Sequence, residues 1–309
     1  MKEKVIFIVG PTAVGKTSLA IKLAKKIKGE IISADSMQVY KGMDILSQKP
    51  TKRERSAAPH HLISFLKASD EYSAAIFAKM AEKKIEGIIK KGKIPIVVGG
   101  SGLYIKTLID GIFPSKGKDE KIRQNLRQIA DRNGSIFLHN KLKRVDPLAA
   151  QGIHPNDLKR VIRALEIYEL EKKTKTSLKP KTTGLKDIYD VRIFGLNMNR
   201  GKLYERINKR VDLMFKKGIV NEVKKLLRKT LSVTSKQALG IKEIEGYFNK
   251  AYDETEAKDA LKKNTRRFAK RQLTWFRADK RIVWLDIDKT REAPATRIIH
   301  GDVWKEHCL

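Results

Sequence analysis

The sequence contains a single cysteine, Cys308, among 309 residues. No internal disulfide and no cysteine zinc site can form, and a reducing compartment fits the chain best. Long apolar runs are also missing. VIFIV (5–9) and IPIVV (94–98) suffice only for buried strands, and the apolar part of MKEKVIFIVG is too short for a secretory leader. A cytoplasmic protein without a membrane segment is expected, and no internal repeat or low-complexity tract is present. Acid is scarce: 67 Lys+Arg stand against 35 Asp+Glu, a formal charge of +32. The excess is spread evenly, as +10, +10 and +12 over residues 1–100, 101–200 and 201–309. Such a field attracts polyanions, nucleic acid first among them, although a lysine-rich proteome would give the same count. What is present is globular, with 41% hydrophobic and 33% charged residues, enough for one large domain or a domain carrying an insertion.

The pattern along the chain predicts a strand at 4–9, a loop at 10–16, and a helix that buries Leu19, Ala20, Leu23, Ala24 and Ile27. EIISADS starts a second strand, SAAIFAKMAEKKIEGIIKKG is an amphipathic helix closing at Gly92, and IPIVVGGSG is a buried strand ending in glycines. This alternation describes a parallel sheet flanked by helices. After Phe113-Pro114 the chain becomes charged and helical without a comparable strand. HPNDLKRVIRALEIYEL is the clearest helix there, capped by Asn156 or Asp157, and the linker KKTKTSLKPKTTG follows. DVRIFGLNM returns to the sheet, helices are expected at 201–229, 235–250 and 254–277, and IVWLDI (282–287) closes the sheet. The expected organisation is an α/β core from 1–115 and 189–309, with a helical insertion at 116–188.

Within the first strand–loop–helix, GPTAVGKT matches the phosphate-loop pattern, so the fold expected is P-loop NTPase-like. Gly10, Pro11, Thr12, Ala13, Val14 and Gly15 form a loop whose backbone N–H groups, Pro11 having none, turn toward an anion, Lys16 adds a point charge, and Thr17 offers a hydroxyl to Mg²⁺. The usual second element of an ATP-hydrolysing site is absent. IPIVV ends in Gly99-Gly100-Ser101-Gly102 rather than in an acid that would hold Mg²⁺ and organise water, and the nearest acid after a strand is Asp35. A loop that grips phosphate without that equipment suits diphosphate as a leaving group.

GPTAVGKT, ADSMQVYKGMDI, PHHLI, VVGGSGLYIK, IHPNDLKRVIRALEIY, LYERINKRVDLM, QALGIKEI and TRRFAKRQLTWFR occur in this order over roughly residues 4 to 287. Together they resemble the motifs of the tRNA dimethylallyltransferase (tRNA isopentenyltransferase) family. The resemblance implies transfer of a dimethylallyl group from dimethylallyl diphosphate to the exocyclic amine of the adenosine 3′ of the anticodon, with Mg²⁺ as cofactor. It implies Asp35 as the base, Ser101 beside the donor or the reacting centre, and Arg210 on the diphosphate. A turn-capping aspartate and a surface helical arginine are the local alternatives for Asp35 and Arg210. The resemblance further implies tRNA contacts at Asp35, Ser36, Met37, Gln38, Ser101, Arg123, Lys159, Arg160, Val161, Ile162, Arg163 and Gly240. Ser101 stands where threonine is common, Ile241 where tyrosine is usual, and Ser64 where aspartate often follows PHHLI. Eukaryotic members often carry a C-terminal zinc finger, which this sequence lacks, and a monomer is expected.

KKNTRRFAKRQLTWFR adds evidence of its own. On a helix, Lys263, Arg267, Lys270, Thr274 and Arg277 form one basic stripe suited to phosphates, while Ala269, Leu273 and Phe276, with Phe268 and Trp275 beside them, follow the buried side, so these aromatics are expected to be core rather than base-stacking platforms. His60-His61 carries no metal expectation, because adjacent histidines seldom converge on one ion and no third ligand lies at suitable spacing. Three other functions fit parts of the sequence. A prenyltransferase acting on free adenine nucleotides would need neither insertion nor basic surface. A phosphate-loop nucleotide kinase or ATPase would need an acidic strand end, and a non-catalytic RNA-binding protein would not need Lys16, Thr17 and Asp35 together.

Overall fold

The computed structural model describes residues 2–112, 117–178, 182–290 and 292–304. It divides into two compact units, one formed by Met1–Ile109 with Leu185–Leu309 and the other by Asp110–Gly184. The change of texture expected at Phe113-Pro114, the centre of the Lys-rich linker and Cys308 lie outside the described residues.

The first unit is built on a six-stranded sheet ordered β3-β2-β4-β1-β5-β6, every pair of which is parallel. The strands are β1 (Lys4–Val9), β2 (Glu30–Ser33), β3 (His60–His61), β4 (Pro95–Gly99), β5 (Asp190–Asn197) and β6 (Val283–Asp286). Parallel strands need crossover helices, which cover both faces of the sheet and make its central strands apolar on both sides. β1 shows this directly: Val5, Phe7 and Val9 enter one core cluster, while Ile6 and Ile8 enter the other. The two-residue edge strand β3 carries no apolar pattern, and nothing local in its residues marks it. Sheet pairing alone makes it a strand, through Ile31↔His60 and Ile32↔His61.

The predicted helices are recovered with three corrections. The amphipathic helix stops at Ile89 instead of Gly92. The stretch 201–229 is two helices, Arg200–Lys216 and Ile219–Leu227, because Gly218 at φ 87° breaks the run. The stretch 235–250 is a 3₁₀ turn at Ser235–Gln237 followed by the helix Ile241–Phe248. Glu254–Arg277 is one helix of 24 residues, opened by a capping box at Asp253 and Glu256. No helix among the described residues is long and apolar enough to cross a membrane.

The second unit packs the helices Glu120–Asn133, Ser135–Val145 and Leu158–Glu171 around Leu126, Leu138, Leu142, Val161 and Leu165. Asp157 is the N-cap of the third helix, its carboxylate accepting from the Arg160 N–H. Glu166 in that helix is fully buried. A buried carboxylate needs compensation, and Glu166 receives Arg123 through Nε (2.8 Å) and Nη2 (2.9 Å), Arg163 through Nη1 (2.6 Å), and the Asp119 N–H (2.8 Å). These hydrogen bonds outweigh the burial that opposes its charge and hold its carboxyl below the ordinary glutamate value.

Candidate active site

The C-terminal ends of β1, β2 and β4 are neighbours in the sheet, and in open α/β folds ligands bind outside those ends. Here they bring together the loop 10–16, the turn after Ala34 and the glycines 99–102. Gly99 is what lets β2 and β4 close up, since a Cβ there would lie 2.1 Å from the Ala34 carbonyl oxygen. The resulting cavity, wholly within the first unit, is lined by Thr12, Lys16, Thr17, Asp35, Arg210 and Gln272, among others.

Lys16 opens the helix Lys16–Ile27, and its Nζ donates to the Gly10 (2.9 Å) and Pro11 (2.7 Å) carbonyls. Burial, then repulsion from Arg210, lowers its ammonium to about 7 against the opposing pull of Asp35. Arg210 comes from the Arg200–Lys216 helix and donates through Nη1 to Thr12 Oγ1 (3.3 Å). It therefore lines the cavity and is not the surface arginine that its local sequence allows. Burial and Arg206 lower its proton affinity. Asp35 follows β2 and accepts through Oδ1 from the Met37 (2.8 Å) and Gln38 (3.2 Å) N–H groups. The aspartate thus caps its turn and lines the cavity at once. Burial raises its carboxyl above the ordinary aspartate value, outweighing those two hydrogen bonds and the charge of Lys16. Ser101 Oγ accepts from the Ser36 N–H (3.3 Å), tying the glycine loop to the Asp35 turn. Thr17 lines the same cavity, where its hydroxyl is an oxygen ligand of the kind Mg²⁺ takes.

Two residues that the sequence reading passed over hold this arrangement. Gln272, 7% exposed on the Glu254–Arg277 helix, accepts the Thr12 N–H through Oε1 (2.9 Å) and donates through Nε2 to the Gly100 carbonyl (3.0 Å). Its signal was a lone amide on the helical face of Ala269 and Phe276. Glu222 accepts three consecutive N–H groups from the segment that follows the Asp35 turn: Asp44 (3.0 Å), Ile45 (2.9 Å) and Leu46 (2.7 Å). Nothing local in the sequence marks it.

Of the residues expected to touch RNA, Gln38 lines the cavity, with its Oε1 accepting from Ser33 Oγ (2.9 Å). Ser36 and Met37 share its turn, Met37 packing against the core. Lys159 and Arg160 are exposed on the second unit, Arg160 beside Asp157 at 3.2 Å. Val161 and Ile162 are not available: their side chains are core, 0% and 6% exposed. Arg123 and Arg163 are held by Glu166, so their charges already have a protein partner. Gly240 is buried too, and at φ 106° it starts the Ile241–Phe248 helix where a Cβ would meet Leu46 Cδ1 at 2.7 Å. Lys263, Arg267, Lys270 and Arg277 are exposed as the stripe predicts, and Arg271 joins them. Ala269 and Phe276 are core, Leu273 and Phe268 are half-buried with Phe268 lining the cavity, and Trp275 departs from expectation at 39% exposed.

His60 and His61 act separately. His60 Nδ1 lies 2.7 Å from the Ala58 carbonyl oxygen, and His61 Nε2 lies 2.7 Å from the carboxylate of Glu30.

A family model described as IPP transferase matches residues 38–279. The tRNA dimethylallyltransferase of Halothermothrix orenii is 50% identical over 285 residues, covering 91% of this chain and 87% of its own length. That of Bacillus subtilis is 47% identical over 289 residues, covering 93% and 91%. Among solved structures, the full-length tRNA isopentenylpyrophosphate transferase of Bacillus halodurans matches with a TM-score of 0.73 at 41% identity, over 99% of this chain and 98% of that one. A eukaryotic dimethylallyltransferase acting on tRNA matches at 0.82 and 31% identity, over 98% and 80%. With the motif order, the parallel sheet and the cavity all in agreement, this chain belongs to the IPP transferase family.

Proposed function

We propose that the protein transfers a dimethylallyl group from dimethylallyl diphosphate to the N6 amine of the adenosine 3′ of the anticodon in tRNA and releases diphosphate. The observation that carries this is the meeting of a phosphate loop with Asp35 where β4 ends in glycine instead of an acid. That arrangement suits displacement of a diphosphate, and the relatives carrying the name tRNA dimethylallyltransferase support it.

The exocyclic amine of adenine is a weak nucleophile because its lone pair is delocalised into the ring. As N6 bonds to C1 of the donor, the C1–O bond breaks, its electron pair leaves with the diphosphate, and the N6 proton passes to Asp35. Burial favours that transfer by raising the proton affinity of Asp35. Loop N–H groups, Lys16 and Arg210 face the charge that gathers on the leaving group. Thr17 would hold Mg²⁺, which adds positive charge beside the diphosphate when bound. RNA is gripped by the exposed cations Lys159, Arg160, Arg267, Lys270 and Arg277, and the target base leaves the loop stack to reach Asp35. In this reading the enzyme works in the cytoplasm as a monomer.

The test incubates the protein with unmodified tRNA, Mg²⁺ and dimethylallyl diphosphate, then weighs the digested nucleosides. The wild type should add one dimethylallyl mass to adenosine. Asp35→Asn should lower the rate by about 10²–10⁴-fold while leaving stem–loop binding intact. Near-normal transfer by Asp35→Asn would remove Asp35 as the base. ATP hydrolysis by the wild type without mass gain would overturn the function.

A further inference from the structure

The Glu254–Arg277 helix carries three aromatic residues near its end, and they have different fates. Phe276 is 2% exposed and Phe268 is half-buried, whereas Trp275 is 39% exposed. The indole thus keeps an accessible part on a helix that buries its neighbouring aromatics. The ring is also held in place. Its edge lies against Gly102, where a Cβ would come within 2.2 Å of Cδ1, 2.4 Å of Nε1 and 2.6 Å of Cγ. Only glycine admits the indole there. Gly102 follows Ser101, whose hydroxyl accepts the N–H of Ser36, the residue after Asp35. The ring is therefore one short, hydrogen-bonded path from the proposed base.

The surroundings of the indole are cationic. Arg267, Lys270, Arg271 and Thr274 line the depression on one side, and on the other Lys106, Lys280 and the Asp279–Arg281 ion pair share a groove with Ile105, Ile193 and Ile282. Charge of this sign disfavours a second apolar protein face and matches phosphates. An exposed aromatic ring between cations is the arrangement that binds single-stranded nucleotides, with bases stacking and phosphates paired. Resting on the tRNA reading above, we propose that Trp275 is the stacking platform for the nucleobase next to the target adenosine. Arg267, Lys270 and Arg271 then hold the adjoining phosphates. The neighbouring base needs such support, because extruding the target adenosine removes its stacking partner on one side.

The experiment is a double-mutant cycle between protein and RNA. Wild type, Trp275→Ala and Trp275→Phe are titrated with three stem–loops: one intact, and one each with an abasic nucleotide 5′ or 3′ of the target adenosine. Stacking predicts that Trp275→Ala weakens the intact RNA by about 5- to 150-fold, the equivalent of ~1–3 kcal/mol per stacked base. One of the two abasic RNAs should weaken the wild type to a similar extent, and Trp275→Ala should then cost little more on that RNA. Trp275→Phe should retain most of the affinity. Equal losses by Trp275→Ala on all three RNAs, or no loss, would overturn the platform. If circular dichroism shows Trp275→Ala unfolded, Trp275→Leu carries the same cycle with the same criteria. A wild type that neither binds nor prenylates the intact stem–loop overturns the functional reading itself, and the platform with it.

Discussion

Replacing Gln272 by methionine should loosen the phosphate loop even though the side-chain volume hardly changes. The amide is 7% exposed and makes one bond to each side of the site: it accepts the Thr12 N–H at 2.9 Å and donates to the Gly100 carbonyl at 3.0 Å. Methionine fills the same space, so the cavity penalty is small. The two backbone groups, however, lose their partners in a place that water reaches poorly. Each such group costs about 1–3 kcal/mol, and partial solvation from the cavity keeps the expected total to roughly 2–4 kcal/mol. For a chain of this size that corresponds to a Tm fall of about 3–6 °C. The Thr12 amide also belongs to the anion-binding loop, so KM for the prenyl donor should rise more than KM for tRNA. Gln272→Glu sharpens the test. A carboxylate still accepts from Thr12 but meets the Gly100 oxygen with no proton to give, and it sets negative charge beside a loop that binds anions. It should bind the donor less well than Gln272→Met. Chemical denaturation and steady-state kinetics with each substrate varied read both effects. A Gln272→Met protein within about 0.5 kcal/mol of wild type, with unchanged KM for the donor, would refute the bridging role.

Other perturbations test separate parts of the structure. Glu222→Ala removes the carboxylate that collects the N–H groups of Asp44, Ile45 and Leu46, so limited proteolysis should cut within 41–50 faster and kcat should drop; an unchanged cutting rate sinks the idea. Burial opposes the charge of Glu30, but Lys93 and His61 outweigh it and hold the carboxyl below its ordinary value of 4.5. The folded chain then binds fewer protons than the unfolded one in the acid range, so this stabilisation is full near neutrality and lost as pH falls through that range. Glu30→Gln should therefore flatten the acid limb of a stability–pH profile, and an unaltered limb would count against the pairing. Arg160→Ala, at an exposed site on the second unit, should weaken tRNA binding and reduce the slope of log K against log salt by about one. An identical slope would remove Arg160 from the RNA face.

Much of the site was legible because its chemistry is local. A phosphate-loop pattern acts through backbone N–H groups close together in the chain, so Gly10 to Thr17 state their proposed role in eight residues. The parallel sheet followed from apolar runs alternating with amphipathic helices, since both periodicities belong to the backbone. The basic stripe of the Glu254–Arg277 helix followed for the same reason, and its exposed cations agree with it.

What the chain alone determined, then, was the order of the apolar strands and main helices, the phosphate-loop pattern and the distribution of charge, all properties of neighbours in sequence. Tertiary structure decided which polar groups meet across long separations. Gln272 reaches the amide of Thr12 260 residues away, and Arg210 leaves a helix face that allows it a surface place to line the cavity. The same holds for the losses. Lys159 to Arg163 is one motif on paper, but a helix turns 100° per residue. Packing therefore sends Val161 and Ile162 into the core, gives Arg163 to Glu166, and leaves Lys159 and Arg160 outside.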